Sequence, residues 1–193
     1  FTATNLPGTQ NALAHYNHPS SSESYYLNVT GEAFLALNAT DARRTIFQTG
    51  TVSSVTRYFV GKWQGFTVQS DYAPVIRYAE VLLNYAEALV RDGNTVTQQA
   101  VDLLNAVRTR SYPAGAYTLD SFTDAAAFIN AVMLERNIEF LGEGIRNMDL
   151  MRTLSTIPSK GGLPVVPPTN ASYIWPIPDS EISTNKLMTG NGN

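Results

Sequence analysis

The residues whose spacing points most directly to chemistry lie in the latter half of the chain. Glu135, Glu139 and Glu143 recur every four residues, so a helix would stack three carboxylates on one face. Two carboxylates can hydrolyse a glycosidic bond when they flank the sugar from opposite sides. Carboxylates at i,i+4 instead point the same way, with Cβ atoms ~5–6 Å apart. Arg136, Arg146 and Arg152 stand close by in sequence, and Arg77, Arg108 and Arg110 lie upstream. This composition reads as a structural ion-pair network tying helix ends together, not as an active site. No catalytic residue is assigned, and an enzyme is not expected.

A second constellation is His15 and His18, an HxxH pair that on a helix would offer two imidazoles to a metal. It sits among Asn, Ser and Pro, with no carboxylate placed as a third ligand, and reads as loop histidines. The absence of cysteine removes thiolate metal sites, thiol catalysis and disulfides. No metal or cofactor is expected.

Sugar recognition asks for different residues: flat aromatic faces against C–H groups, and planar polar side chains for hydroxyls. Tyr16, Tyr25, Tyr26, Tyr58 and Trp63 lie in a first zone rich in Ser, Thr, Asn and Gly, and are the candidate ligand-binding residues. Tyr78 and Tyr85 fall in a helical pattern and are expected in the core. Tyr173 and Trp175 are expected to pin an extended segment onto the helices.

The elements that must position these residues fall into three zones. Residues 1–73 read as loops around one or two short helices, the best candidate at 31–38 entering Asp41-Ala42-Arg43-Arg44, with a strand permitted at 52–60. Residues 74–153 are helical. After Pro74, one stripe runs Ile76, Ala79, Leu83, Ala86, Val90 and a second runs Val75, Tyr78, Leu82, Tyr85, Leu89. Two stripes predict a helix packed on two sides, ending at Gly93 as a left-handed cap. A second helix follows with Val96, Ala100, Leu103, Leu104 and Val107 inward. The pair has the size of one tetratricopeptide-type unit of ~34 residues, which needs neighbours to bury both faces. A third helix is expected from a cap at Ser121 or Thr123, with Phe122, Ala126, Ile129, Met133 and Phe140 inward. Gly142 and Gly144 break it before a short helix at 145–153. Residues 154–193 read as an extended Pro-rich tail with a helix start at Asp179 or Ser180. The expected fold is all-α: a tetratricopeptide-like helix pair, further helices, and long irregular and Pro-rich segments.

With 193 residues, 44% of them hydrophobic, the chain can build a real core. A net charge of -3 without a basic run gives nucleic-acid binding little electrostatic basis. Phe1 follows no initiator Met and no signal segment, so the chain reads as an excised piece.

Four ordered blocks and one shorter element carry a family resemblance. VIRYAEVLLNYAEA at 75–88 is very similar to a signature of the SusD/RagB family, and LNAVRTR at 104–110 resembles that family's LNxVRxR. The block from Glu135-Arg136 through Glu143-Gly144-Ile145-Arg146 to Asp149-Leu150-Met151-Arg152 resembles its third motif. Pro176-Ile177-Pro178 with Glu181, Ile182 and Asn185 resembles its closing one, and Asp41-Ala42-Arg43-Arg44 fits a preceding DxRR element. Asn137 and Met148 depart from the residues common at those places.

The resemblance implies the C-terminal part of a surface-exposed outer-membrane lipoprotein of a Bacteroidetes-type bacterium. Its lipid anchor and N-terminal half would lie outside this chain. Such proteins hold oligosaccharides or other nutrients for a TonB-dependent, SusC-like transporter, without catalysis. The alternative is a tetratricopeptide-type scaffold whose open helical face binds a peptide or protein partner.

Overall fold

The computed structural model describes residues 12–20, 25–27, 29, 31–67, 69, 71–160 and 162–188. The fold is all-α, and the one sheet among the described residues is a two-stranded hairpin. The chain divides into two compact units, Phe1–Gly144 and Ile145–Asn193.

The core of the first unit is a stack of three helices, α3 (Tyr78–Gly93), α4 (Gln98–Ser111) and α5 (Ala125–Glu139). Leu83, Ala86 and Val90 recur at helical spacing and are fully buried, as are Ala100, Val101 and Leu104 of α4 and Phe128 and Val132 of α5. Burial of each large apolar side chain contributes ~1.5–3 kcal/mol. The small Ala86 and Ala100 let α3 and α4 approach, and α5 lies against α3. The Thr97 hydroxyl caps α4 by accepting from the Ala100 amide at 3.2 Å.

Several expectations are corrected. Helix α3 begins at Tyr78 and not after Pro74. Arg77 is extended at its N-cap (φ -118°, ψ 151°), which frees its side chain to reach acids on α5. The left-handed residue at its end is Asn94 (φ 44°), so Gly93 stays helical. Asp124 caps α5, not Ser121 or Thr123, by accepting from the Ala127 amide at 2.8 Å. The buried face of α5 therefore carries Phe128 and Val132, while Ala126 is exposed and Ile129 and Met133 are only half-buried.

The second stripe of α3 is not buried. Val75 precedes the helix and is exposed, Tyr78 and Tyr85 are 75% and 46% exposed and not core residues, and Leu82 and Leu89 are half-buried; Ile76 of the first stripe also precedes the helix and is exposed. The fully buried face is the one carrying Leu83, Ala86 and Val90, and from α4 the Gln99 amide reaches the Tyr85 hydroxyl at 3.3 Å.

The irregular zone contains α1 (Leu13–Tyr16), α2 (Glu32–Ala36) and a 3-10 turn, Ala42–Ile46. Strands β1 (Phe47–Val52) and β2 (Val55–Val60) pair antiparallel from Phe47↔Val60 to Val52↔Val55. Ser53 and Ser54 form the two-residue turn with φ of 50° and 62°, the left-handed conformation that matches strand twist. The permitted strand at 52–60 is thus the second arm of a hairpin.

The second unit begins with α6 (Ile145–Arg152). Buried Asp149 accepts from Arg152 Nε at 2.9 Å. The Pro-rich segment turns back through bridges Ile157↔Val166 and Lys160↔Leu163. Tyr173 is buried, its hydroxyl 3.1 Å from the Leu150 carbonyl and 2.8 Å from that of Ser155, so it ties the segment to the end of α6. Trp175 stays exposed and does not share that burial. Helix α7 (Asp179–Thr184) starts after Pro178, which takes the N-cap place expected for Asp179 or Ser180. Among the described residues no helix is long and apolar enough to cross a membrane.

Candidate functional site

Two places in the first unit gather polar and aromatic side chains: an exposed aromatic surface on the hairpin, and a charged cleft beneath α3 to α5.

The aromatic surface is built on β2. Residues 25–27 run beside that strand, with the Leu27 amide donating to the Tyr58 carbonyl at 2.7 Å and the Tyr25 amide to the Tyr16 carbonyl at 2.7 Å. Leu27 packs with Ala14, Val60 and Trp63 in a small hydrophobic cluster that fixes the segment. The rings of Tyr16 and Tyr25 then lie 5.6 Å apart, and Tyr25 is 71% and Tyr16 38% exposed. Tyr26 is 47% exposed, with the Arg57 guanidinium 4.6 Å over its ring and Phe59 edge-on at 6.4 Å. The alternation of β2 puts Arg57 and Phe59 on one face and Tyr58 and Val60 on the other.

The five candidate aromatics therefore occupy three settings. Tyr16 and Tyr25 form an exposed pair, and Tyr26 adjoins it in sequence with its own cationic partner. Tyr58 is half-buried against Phe34, which in turn stacks on Phe47. Trp63 is 5% exposed and supports the surface from the core. His15 and His18 both stack on Phe66, at 5.7 and 4.4 Å between centroids. No group of three acids or histidines with metal-site geometry occurs among the described residues.

The charged cleft has a volume of about 520 Å³ and is walled by Lys62, Trp63, Tyr72, Arg77, Arg110 and Glu139, among others. Among its acids Glu135 and Glu139 lie on α5, Glu143 follows that helix and Asp41 precedes the 3-10 turn, while its bases come from four separate segments. Arg43 donates to Asp41 (2.7 Å) and Glu135 (2.6 Å), and pairs with Glu139 at 3.3 Å. Glu135 takes Arg108 at 2.8 Å. Glu139 takes Arg77 at 2.9 Å and Arg110 at 2.8 Å, and Glu143 takes Arg77 at 2.9 Å and Lys62. Burial works to raise the pKa of Glu139, but hydrogen bonds from Arg77 and Arg110 outweigh it and hold the carboxyl below the usual range. Burial likewise opposes ionisation of Asp41, and the Arg43 bonds prevail there too. For Lys62 burial wins over the Glu143 bond, and its pKa is lowered.

Carboxylates held ionised by arginines are poor proton donors, and their donor partners leave few lone pairs for a substrate. The cleft is a cross-brace. Arg136 donates to Asn84, and Arg152 donates to Asp149 within the second unit. The bases that sequence spacing missed are Arg43 and Lys62, 92 and 81 residues from their partners Glu135 and Glu143. Arg57 was missed on the aromatic surface. The period-2 pattern that puts it on the Phe59 face was the available signal.

A family model described as SusD family matches residues 9–193. Among solved structures, a SusD superfamily protein from Bacteroides fragilis is 29% identical with a TM-score of 0.76, covering 98% of this chain and 43% of its own. The surface glycan-binding protein A from Bacteroides uniformis is 25% identical with a TM-score of 0.56, covering 83% of this chain and 39% of its own. A SusD-like carbohydrate binding protein from Bacteroides vulgatus is 19% identical with a TM-score of 0.70, covering 92% and 44%, and shares the fold. The chain thus spans less than half the length of these structures. No curated protein sequence matches it.

Proposed function

Since the chain belongs to the SusD family, we propose that it serves as part of a non-catalytic glycan-binding protein. In this reading it acts at the bacterial outer-membrane surface and passes oligosaccharides to a TonB-dependent transporter. The observation that carries the reading is the exposed Tyr16–Tyr25 pair with Tyr26 beside it, held by backbone bonds to a rigid hairpin. Rings fixed in advance lose little entropy on binding and suit the C–H faces of pyranoses. The printed names of two structural relatives, a surface glycan-binding protein and a carbohydrate binding protein, support the same reading. The saturated acids of the cleft support the absence of hydrolysis.

The test is a glycan panel offered to the intact protein, with binding followed by calorimetry and the mixture chromatographed afterwards. At least one oligosaccharide binds unchanged, and Tyr25→Ala weakens it about 3- to 10-fold, the range expected for one aromatic contact. Cleavage products in the mixture would overturn the non-catalytic assignment.

One observation favours a second reading, a scaffold that docks a peptide. The apolar face of α3 carrying Tyr78 and Tyr85 is exposed. If this face is a docking groove, Tyr78→Lys with Tyr85→Lys leaves the intact protein folded and abolishes partner binding. If further sequence of the intact protein covers the face, the same pair lowers its melting temperature.

A further inference from the structure

Arg57 stands apart from the other arginines of its unit. Arg43, Arg77, Arg108 and Arg110 end on carboxylates, Arg91 on Glu87, and Arg44 on backbone carbonyls. Arg57 has no such partner among the described residues, and its Nε is buried without any acceptor. The side chain as a whole is only half-buried, so a guanidinium that makes no ion pair keeps N–H donors at the surface for a group from outside the chain. Its position is also defined. The guanidinium carbon lies over the Tyr26 ring, 4.6 Å from its centroid, beside the exposed Tyr16–Tyr25 pair, and β2 fixes its backbone through the Gly50↔Arg57 pairing.

We propose that Arg57 is the anion-recognising residue of the aromatic surface, and that the bound glycan carries a carboxylate or a sulfate ester. This rests on the glycan-binding reading above and narrows its substrate class. A guanidinium fork matches the two oxygens of a uronate or the three of a sulfate, while the tyrosines meet the sugar rings. The protein is acidic overall, with a net charge of -3, so attraction to an anion must be local. It also weakens with added salt where the fork stays in contact with solvent.

The experiment titrates the intact protein with an oligogalacturonate, the methyl ester of the same oligomer, and a sulfated galactan oligosaccharide. At least one anion binds ten times or more tighter than the ester, and which of the two binds tighter identifies carboxylate or sulfate as the group recognised. Arg57→Gln brings the preferred anion down to the affinity of the ester, and an unchanged melting temperature of the variant is the check on folding. Arg57→Lys restores part of the preference, since an ammonium keeps the charge and loses the fork. Equal binding of all three sugars, no binding of either anion, or a preference that survives Arg57→Gln would each overturn the assignment. Tyr25→Ala separates the two levels. If it weakens binding of every sugar while no anion is preferred, only the role of Arg57 falls. If it leaves all binding untouched, the aromatic surface itself is not the site.

Discussion

The cleft beneath α3 to α5 and the aromatic surface on the hairpin lie in the same unit but treat their polar groups in opposite ways. In the cleft every acid is matched: Glu135, Glu139 and Asp41 are buried, and each accepts from at least one arginine. On the hairpin, large rings stay open to solvent and one guanidinium makes no ion pair among the described residues, its Nε without an acceptor. Saturated interactions brace a fold, and unsatisfied ones are available to a ligand. The family motifs at 75–88 and 104–110, with the 135–143 part of the third, fall on the braced side, while the residues suited to recognition lie in a zone that those motifs do not touch.

The contrast can be broken most directly in the cleft. Arg43→Ala removes a nearly buried cation shared by Asp41, Glu135 and Glu139, and should cost ~3–5 kcal/mol in denaturant unfolding. A loss under 1 kcal/mol would mean the remaining arginines already satisfy the acids, and the brace would be redundant.

Acid should act on the same side. Asp41 and Glu139 have native pKa values below their ordinary 3.8 and 4.5, so the native state binds fewer protons than the unfolded chain as these groups titrate. Their stabilisation is full above about pH 4.5 and is lost as the pH falls through the lowered native values. Denaturant midpoints at a series of pH values should hold steady for these groups down to that point and then decline. The decline should be shallower in Arg43→Ala, which removes the Asp41 partner. An unchanged acid limb would assign the loss to other carboxylates.

The hairpin side should give the smallest effect on stability. Tyr25→Ala is expected to shift unfolding by less than ~0.5 kcal/mol, because the ring is mostly exposed. A larger loss would move Tyr25 from the recognition surface to the packing, and would blur the contrast.

Much of the braced side was legible in the sequence. Local periodicity marked α3, α4 and α5, and the helical spacing of Glu135, Glu139 and Glu143 pointed to ion pairs. What periodicity could not supply was phase and partner. With Asp124 as the cap, Phe128 and Val132 take the inward places that Ile129 and Met133 were expected to hold. Tyr78 and Tyr85 have the pattern of a buried stripe, but a pattern on one helix does not say whether its cover lies within these 193 residues. The long reach from Arg43 to Glu135 was beyond any local rule. On the hairpin, residue types nominated Tyr16, Tyr25 and Tyr26. Their adjacency depends on two backbone bonds, Tyr25 to Tyr16 and Leu27 to Tyr58, that composition does not encode.

The convergence on Glu139 has a kinetic consequence. Arg43, Arg77 and Arg110 arrive from before β1, from the start of α3 and from the end of α4, so their loops must close before the full set of bonds forms. Interactions of such long range belong late on the folding path, after the transition state. Removing Arg43 should therefore steepen escape from the native state while refolding proceeds at nearly its former rate. The cluster would then set how long the native protein lasts more than how quickly it forms.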